Sequence, residues 1–408
     1  MRLSLLEILE ATGGGEVGGT QVGETFSSFH TDSREVQHGG LFFALRGAEM
    51  DGHQFVADAI ARGAAAVVVE RKREIPSGIV EVVVPDTWNA LFALASLALR
   101  RVQPLVVGVT GSNGKTSTKE MVAAILSRHF NVLRTQGNLN TETGVPLTIL
   151  SLEPHHSALV SREDLARGKG ELVEALPDKG LAVLNADNEF YPLLAQMTSA
   201  HVASFGEHSG DYRVEKYEPL GEGGSRFSIR GIDVRLLLDG KHQALNAAAA
   251  LAAGDFAGVP LEIGTDALAE VRVEHRLEEI DTPAGYTLID DAYNASPESM
   301  LAAFDVAAQK ARSGRLLAVL GEMRELGPLA EESHRLVGQR AREVFDAVCV
   351  VEGAHARQMA VAAGAEVVAD RAAAVDWVRH NAVPGDRVLV KASHGVRLDE
   401  LVAELTAA

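Results

Sequence analysis

Cysteine is almost missing from this sequence: Cys349 is the only one in 408 residues. A disulfide framework is therefore excluded, and a reducing compartment fits. Cys349 stands in Ala347-Val348-Cys349-Val350-Val351, which reads as a buried strand with the thiol as a small core hydrophobe. Long apolar runs are lacking too, and none approaches the ~20 residues of a membrane-spanning helix. The N-terminus, Met1-Arg2-Leu3-Ser4-Leu5 with Glu7 and Glu10 behind it, has the pattern of an amphipathic helix rather than a signal peptide. The expectation is a cytoplasmic monomer with no membrane insertion. Positive charge is in short supply: 38 Lys and Arg against 56 Asp and Glu leave a net charge of −18. That removes the electrostatic footprint of a nucleic-acid binder and makes an anionic membrane a poor partner. A small anion is not excluded, because a local cluster of donors binds phosphate whatever the global sign. Metal-ligand spacing is absent around His53, His242, His334 and His394, and no Ser-His-Asp or Cys-His pairing is suggested. No internal repeat or low-complexity tract is present.

What is there is an ordinary folded composition, 46% apolar and 23% charged, long enough for two or three domains. Residues 1–84 read as a small α/β unit: a strand at Leu41–Leu45, a helix at His53–Arg62, and strands at Ala64–Val69 and Ile79–Val84. Residues 85–270 open with a connecting helix, Trp88–Arg101. A strand at Leu105–Val109, a glycine-rich turn, a helix at Lys115–Arg128 and a strand at Asn131–Leu133 follow, the β–loop–α–β unit of doubly wound folds. A buried strand at Leu181–Leu184, an antiparallel hairpin over Arg226–Arg230 and Asp233–Leu238, and an alanine-rich helix at Ala244–Ala253 complete the segment. Residues 271–408 alternate strand and helix, with strands at Leu316–Leu320, Ala347–Val351, Glu366–Ala369 and Arg387–Lys391. The fold class is α/β in three domains: a small N-terminal domain, a central mononucleotide-binding domain with a mostly parallel sheet, and a Rossmann-like C-terminal domain. One junction does not fit. Ser157-Ala158-Leu159-Val160 begins a strand, and Ser161-Arg162-Glu163-Asp164 at once reads as a helix start with Ser161 as N-cap. No residues remain for the loop of about two to six that such a connection takes.

The sharpest signal is Thr110-Gly111-Ser112-Asn113-Gly114-Lys115-Thr116-Ser117-Thr118, between a buried strand and a helix, where a phosphate-binding loop belongs. Glycines let backbone N–H groups converge on phosphate oxygens, and the helix N-terminus adds partial positive charge. Lys115 can reach the β- and γ-phosphates and Thr116 can take a place on Mg²⁺. The common loop has glycine where Val109 stands, so the spacing is a variant.

Thr-Gly-x-Asn-Gly-Lys-Thr is the form of this loop found in the Mur ligases and their folate-ligase relatives, and the sequence resembles that family over nearly its whole length. Thr31-Asp32-Ser33-Arg34, Phe42-Phe43-Ala44-Leu45-Arg46-Gly47 and Asp51-Gly52-His53 look like its UDP-binding domain. Gly137-Asn138-Leu139-Asn140-Thr141-Glu142-Thr143-Gly144-Val145-Pro146 is similar to the loop of the D-alanyl-D-alanine-adding branch. Lys169, in Ala166-Arg167-Gly168-Lys169-Gly170-Glu171, matches the lysine that the family carbamylates. Leu184-Asn185-Ala186-Asp187 is typical of the central domain, and Asp290-Asp291-Ala292-Tyr293-Asn294-Ala295-Ser296-Pro297 resembles the C-terminal signature of the same branch. The Asp-Asn-Pro-Arg run of the diaminopimelate-adding branch is not found.

The resemblance implies ATP-dependent amide formation through an acyl phosphate, joining D-alanyl-D-alanine to a UDP-N-acetylmuramoyl-tripeptide. It implies ATP at Gly111, Ser112, Asn113, Gly114, Lys115, Thr116 and Ser117, with Asn246, Arg276 and Asp291 completing the nucleotide site. Catalysis would fall to Lys115, Lys169, Asn246, Arg276 and Asp291, and Mg²⁺ to Thr116 and to Lys169 as its carbamate. Ser33, Arg34, Arg46, Gly47, Asp51 and His53 would hold the UDP end, Asn138, Asn140 and Glu142 its sugar-peptide end, and Tyr293 and Asn294 the remaining substrate. The alternatives are a sister ligase adding another amino acid, a P-loop ATPase without ligation, or a non-catalytic relative.

Two departures stand out. The family has Asn where Gln243 stands, in Lys241-His242-Gln243-Ala244-Leu245-Asn246. About forty residues of family pattern, including two strands and a glutamate and histidine used around magnesium, have no counterpart between Val160 and Ser161, and losing two core strands would bare sheet edges. Either the deletion is real and part of the metal site is gone, or the segment belongs to the protein outside these 408 residues; its structural cost favours the second.

Overall fold

The computed structural model describes residues 1–16, 24–47, 50–111, 113–135, 141–162, 169–220, 223–273, 277–309, 314–324 and 326–407. The chain divides into two compact units, one of residues 1–111 and 126–175, the other of residues 112–125 and 176–408.

In the first unit, helix Leu5–Thr12 starts with a reciprocal cap between Ser4 and Glu7, as its amphipathic pattern predicts. The N-terminal sheet contains β1 (Leu41–Phe43), β2 (Ala66–Val69) and β3 (Val80–Val83), mutually parallel, with short strands Phe29–His30 and Gly15–Glu16 at its edges. Side chains alternate between its faces, as a pleated strand requires. Leu41, Phe43, Ala66 and Val68 pack with Leu91 and Leu94, while Phe42, Ala44, Val67 and Val69 pack with Val56 and Ala59. Both faces are covered, which is why these strands read as unbroken apolar runs. Leu91 and Leu94 lie on α1 (Thr87–Val102), which Asp86 caps by accepting from the Asn89 N–H at 2.8 Å.

After α1 come β4 (Leu105–Val109), α2 (Lys115–Leu126), β5 (Val132–Arg134) and β6 (Ala158–Arg162). The three strands form a parallel sheet in the order β4-β6-β5. This corrects the expected junction. Ser161 does not cap a helix: the strand runs through it to Arg162, with Ser161 opposite Gly108. The Ser161 hydroxyl accepts from Thr135 Oγ1 at 3.2 Å, and the Thr135 N–H donates to Val160 O at 3.1 Å. A ladder with partners on both sides satisfies this segment better than a local cap. The next helix among the described residues is α3 (Lys169–Glu174). β4 is an edge strand of this sheet, and Val106 on it is 53% exposed.

In the second unit, β7 (Leu181–Asn185), β8 (His201–Gly206) and β9 (Tyr212–Arg213) form another three-stranded parallel sheet. The expected hairpin is present as Ser225–Ile229 and Ile232–Leu236, with a third antiparallel strand, Glu215–Pro219. Helix α4 (Lys241–Phe256) packs on β7 and β8. The last sheet holds β10 (Glu278–Asp281), β11 (Thr287–Asp290), β12 (Leu316–Leu320), β13 (Ala347–Val351), β14 (Glu366–Val368) and β15 (Arg387–Lys391), in the order β10-β11-β15-β12-β13-β14. Only β10 runs antiparallel. Helix α5 (Pro297–Gln309) connects β11 to β12. Cys349, on β13, is fully buried, and burial pushes its thiol up to about 12. It is the inert core residue that its neighbours predict.

Because β15 inserts between β11 and β12, the carboxyl ends of β11, β15 and β12 come together where strand order reverses. That is where open α/β sheets bind ligands.

Candidate active site

The glycine-rich loop joins β4 to α2 as expected. Gly114 has φ +78°, a left-handed conformation, and Thr118 N–H donates to its carbonyl at 2.9 Å to start the helix. A Cβ at Gly114 would lie 2.4 Å from Asn246 Oδ1 and 2.9 Å from its Nδ2. Asn246, on α4, is thus packed directly over the loop. Its Nδ2 donates to Gln243 Oε1 at 3.1 Å, one helical turn back, and Gln243 is buried. The glutamine that departs from the family pattern therefore orients the asparagine that matches it. Asn113 is exposed, and its Oδ1 accepts from Ser296 Oγ at 2.8 Å. Lys115 and Thr116 are half-buried at the start of α2, and Ser117 is buried within it. Gly111 lies at the unit boundary and Ser112 outside the described residues.

At the carboxyl end of β11, Asp290 and Asp291 are both buried. Asp290 Oδ1 accepts from the Ala292 N–H at 3.0 Å. Asp291 Oδ2 meets the ammonium of Lys391, at the end of β15, at 2.6 Å, and Lys391 also donates to Asn294 O at 2.9 Å. Lys391 has no exposed surface. A buried pair of this kind is costly to break from either side, because the partner is left as an uncompensated charge. The Asp-Asp-Ala-Tyr-Asn run is therefore a tie between two neighbouring strand ends. It presents exposed Asn294 and half-buried Tyr293, whose ring lies 6.4 Å from that of His394. The loop after β15, which carries no role in the sequence reading, also anchors the turn after β12: Ser393 N–H donates to Glu322 O at 3.1 Å and Arg324 N–H to Ser393 Oγ at 2.9 Å.

In the first unit, three expected substrate residues, Arg46, Asp51 and His53, form one network with Glu70 at the end of β1. Arg46 reaches Glu70 at 3.1 Å and Asp51 at 3.6 Å. Asp51 Oδ1 lies 2.6 Å from His53 Nδ1, and His53 Nε2 accepts from the Glu70 N–H at 3.0 Å. The accepting Nε2 fixes the tautomer, so Nδ1–H donates to Asp51. Hydrogen bonds from the His53 backbone and ring hold the Asp51 carboxyl below the usual range. Gly47 N–H closes the turn onto Met50 O at 2.8 Å. Ser33 and Arg34 make a second group. Ser33 is buried and bonded to Asp58, while Arg34 is exposed with its guanidinium on Asp32 at 2.6 Å.

Glu142 is exposed just before helix Gly144–Leu150. Asn138, Asn140, Arg276 and the side chain of Lys169 lie outside the described residues; the Lys169 backbone opens α3. Among the described residues no group of three or more His, Cys, Asp or Glu could hold a metal. Sequence reasoning missed Lys391, Glu70, Ser296 and Glu298. A lone lysine closing an apolar strand was the available signal for the first, and Ser296-Pro297-Glu298-Ser299 has a helix-cap pattern.

Comparison with known proteins bears on this geometry. Three family models match in order: "Mur ligase family, catalytic domain" over residues 25–129, "Mur ligase middle domain" over 109–161 and 152–254, and "Mur ligase, glutamate ligase domain" over 275–394. The UDP-N-acetylmuramoyl-tripeptide--D-alanyl-D-alanine ligase of Bacillus subtilis is 33% identical over 428 aligned positions, covering 92% of each chain. The chain belongs to the Mur ligase family. Like other Mur ligases it is an ATP-dependent ligase. MurF from Acinetobacter baumannii superposes with a TM-score of 0.88 at 29% identity, covering 100% of this chain and 99% of that one. MurF ligase from Thermotoga maritima, solved in complex with ADP, gives 0.76 at 28% identity, covering 93% and 97%. An alignment of 428 positions exceeds the 408 residues of this Mur ligase, so it steps over positions present in the relative alone. The two middle-domain matches meet at 152–161.

Proposed function

We propose that this Mur ligase joins D-alanyl-D-alanine to the terminal carboxylate of a UDP-N-acetylmuramoyl-tripeptide, a step in cytoplasmic peptidoglycan precursor synthesis. The observation that carries the reading is the match across 92% of both chains with the Bacillus subtilis enzyme of that name. In this reading residues 1–84 hold the UDP substrate, 85–270 ATP, and 271–408 the incoming dipeptide.

A carboxylate is too poor an electrophile to react with an amine in water. Transfer of the γ-phosphoryl of ATP to a carboxylate oxygen gives an acyl phosphate and ADP. The dipeptide amine then attacks the carbonyl carbon, the C–O bond to phosphate breaks, and phosphate leaves while the amine gives up its proton. Such transfer needs positioning and charge neutralisation above all. Lys115 and the loop N–H groups supply these on the phosphate side, and Asn246 keeps the loop curled at Gly114. Arg276 is assigned to the nucleotide. Asp291 is assigned to the nucleotide with Arg276, and its tie to Lys391 braces the turn that carries Tyr293 and Asn294. Ser33, Arg34 and the Arg46–Asp51–His53 network face the UDP end, and Asn138, Asn140 and Glu142 its sugar-peptide end.

A single Mg²⁺ fits Thr116, since magnesium takes few protein ligands when phosphates supply the rest. Bound there, it would neutralise phosphate charge. Among the described residues no group of three or more His, Cys, Asp or Glu could hold a second ion, which the Lys169 carbamate would hold.

Phosphate release tests the reading. It should require both UDP-N-acetylmuramoyl-tripeptide and D-alanyl-D-alanine, with free diaminopimelate or lysine inactive as acceptors. Turnover with one of those amines would make it a sister ligase, and full-rate release without any amine would make it an ATPase. The gap near residue 160 favours a second reading, a relative that has lost ligation; no amide product with the correct pair would establish it.

A further inference from the structure

The phosphate loop is held from a second side, by residues that the reaction scheme does not use. The amide of Asn113 is engaged at both ends by the first turn of α5. Its Oδ1 accepts from Ser296 Oγ at 2.8 Å, and its Nδ2 donates to Glu298 Oε2 at 3.4 Å. Ser296 also caps α5: its Oγ accepts from the Ser299 N–H at 3.3 Å, and its own N–H donates to Ser299 Oγ at 2.9 Å. The two tasks do not compete. A hydroxyl has one proton and two lone pairs, so the proton goes to Asn113 while a lone pair takes the Ser299 N–H. Asn113 immediately precedes Gly114, whose left-handed backbone sits under Asn246. Two adjacent loop residues are therefore fixed, one by α4 and one by α5.

We propose that Ser296 is a positioning residue for ligation. Through Asn113 it holds the phosphate loop in the curled form that receives the triphosphate, with Glu298 fixing the far end of the same amide. A glycine-rich loop is free to take many backbone states, and ordering it in advance removes that cost from nucleotide binding. The inference rests on the reading of residues 110–118 as the ATP loop.

Ser296→Gly is the informative change, because glycine is tolerated at an N-cap and cannot donate. It should raise KM for ATP about threefold to tenfold, the worth of one hydrogen bond, with KM for D-alanyl-D-alanine little changed. Ser296→Thr keeps hydroxyl and cap and should restore the native KM. Ser299→Ala weakens the cap alone, so it should lower the melting temperature and leave KM for ATP in place. Adding Ser296→Gly to Asn113→Ala should produce no further rise. An unchanged KM in Ser296→Gly, or an equal rise in Ser299→Ala, overturns the proposal. Lys115→Ala separates the underlying reading: if ATP binding survives it, the loop is not the ATP site and the proposal falls with that reading.

Discussion

Gly114 has two separate reasons to be glycine. Its φ of +78° costs an L-residue about 1–2 kcal/mol, and Asn246 fills the space a Cβ needs. Gly231, in the hairpin turn, has φ +80° but nothing within 4 Å of its Cβ position. The two glycines therefore make a matched pair. Gly231→Ala should lower the melting temperature by the backbone cost alone. Gly114→Ala should lower it further and weaken ATP binding at least tenfold, a loss of about 1.4 kcal/mol or more, as read by nucleotide titration. Equal effects of the two changes on ATP affinity would show that the Asn246 contact is immaterial.

Asp386, at the turn into β15, ties strand ends together. It accepts from Arg315 N–H at 2.8 Å, from the Arg315 guanidinium at 2.7 Å and from Val383 N–H at 3.1 Å. Burial pushes its carboxyl up, but these hydrogen bonds outweigh burial and hold it below the usual range. A carboxyl with a depressed folded-state pKa contributes stability that is complete above its unfolded value of about 4 and fades as pH falls through the lower folded value. Asp386→Asn should therefore cost about 2–3 kcal/mol at pH 7. Melting curves of the two proteins should converge below about pH 4; a gap that stayed constant down to pH 2 would assign the effect to packing.

The two three-stranded parallel sheets, β4-β6-β5 and β7-β8-β9, stand where the family resemblance leads one to expect a single central sheet with further strands. Among the described residues each sheet stops at three strands, and an uncovered parallel edge is a template for unwanted pairing. Intact-mass spectrometry should give a mass several kilodaltons above the 43.3 kDa of these 408 residues, together with amide product from the correct substrate pair. A mass of 43.3 kDa with no product would instead favour the relative that has lost ligation.

Local chemistry was enough to mark the phosphate loop and four strands of the C-terminal sheet, though not β10 or β11. β-branched runs, their two-residue alternation and the glycines act within a few residues, so Leu105–Val109, Leu316–Leu320 and Arg387–Lys391 could be bounded from sequence. Arg46, Asp51 and His53, seven residues apart at most, were expected from the family resemblance, but Glu70, which bonds to both Arg46 and His53, was not, because it arrives from the end of the next strand, 17 residues beyond His53. Ser161 was not legible either: its local pattern favoured a cap, and only strands on both sides of β6 decided otherwise. The pairs that organise the candidate site are the extreme case. Lys391 meets Asp291 across 100 residues, and Ser296 meets Asn113 across 183. Sequence by itself determined the α/β class, the loop and the kind of chemistry it serves. Tertiary structure alone decided which strand lies beside which, and therefore which distant side chains hold the loop, since contacts closed through a sheet leave no trace in the spacing of the residues that make them.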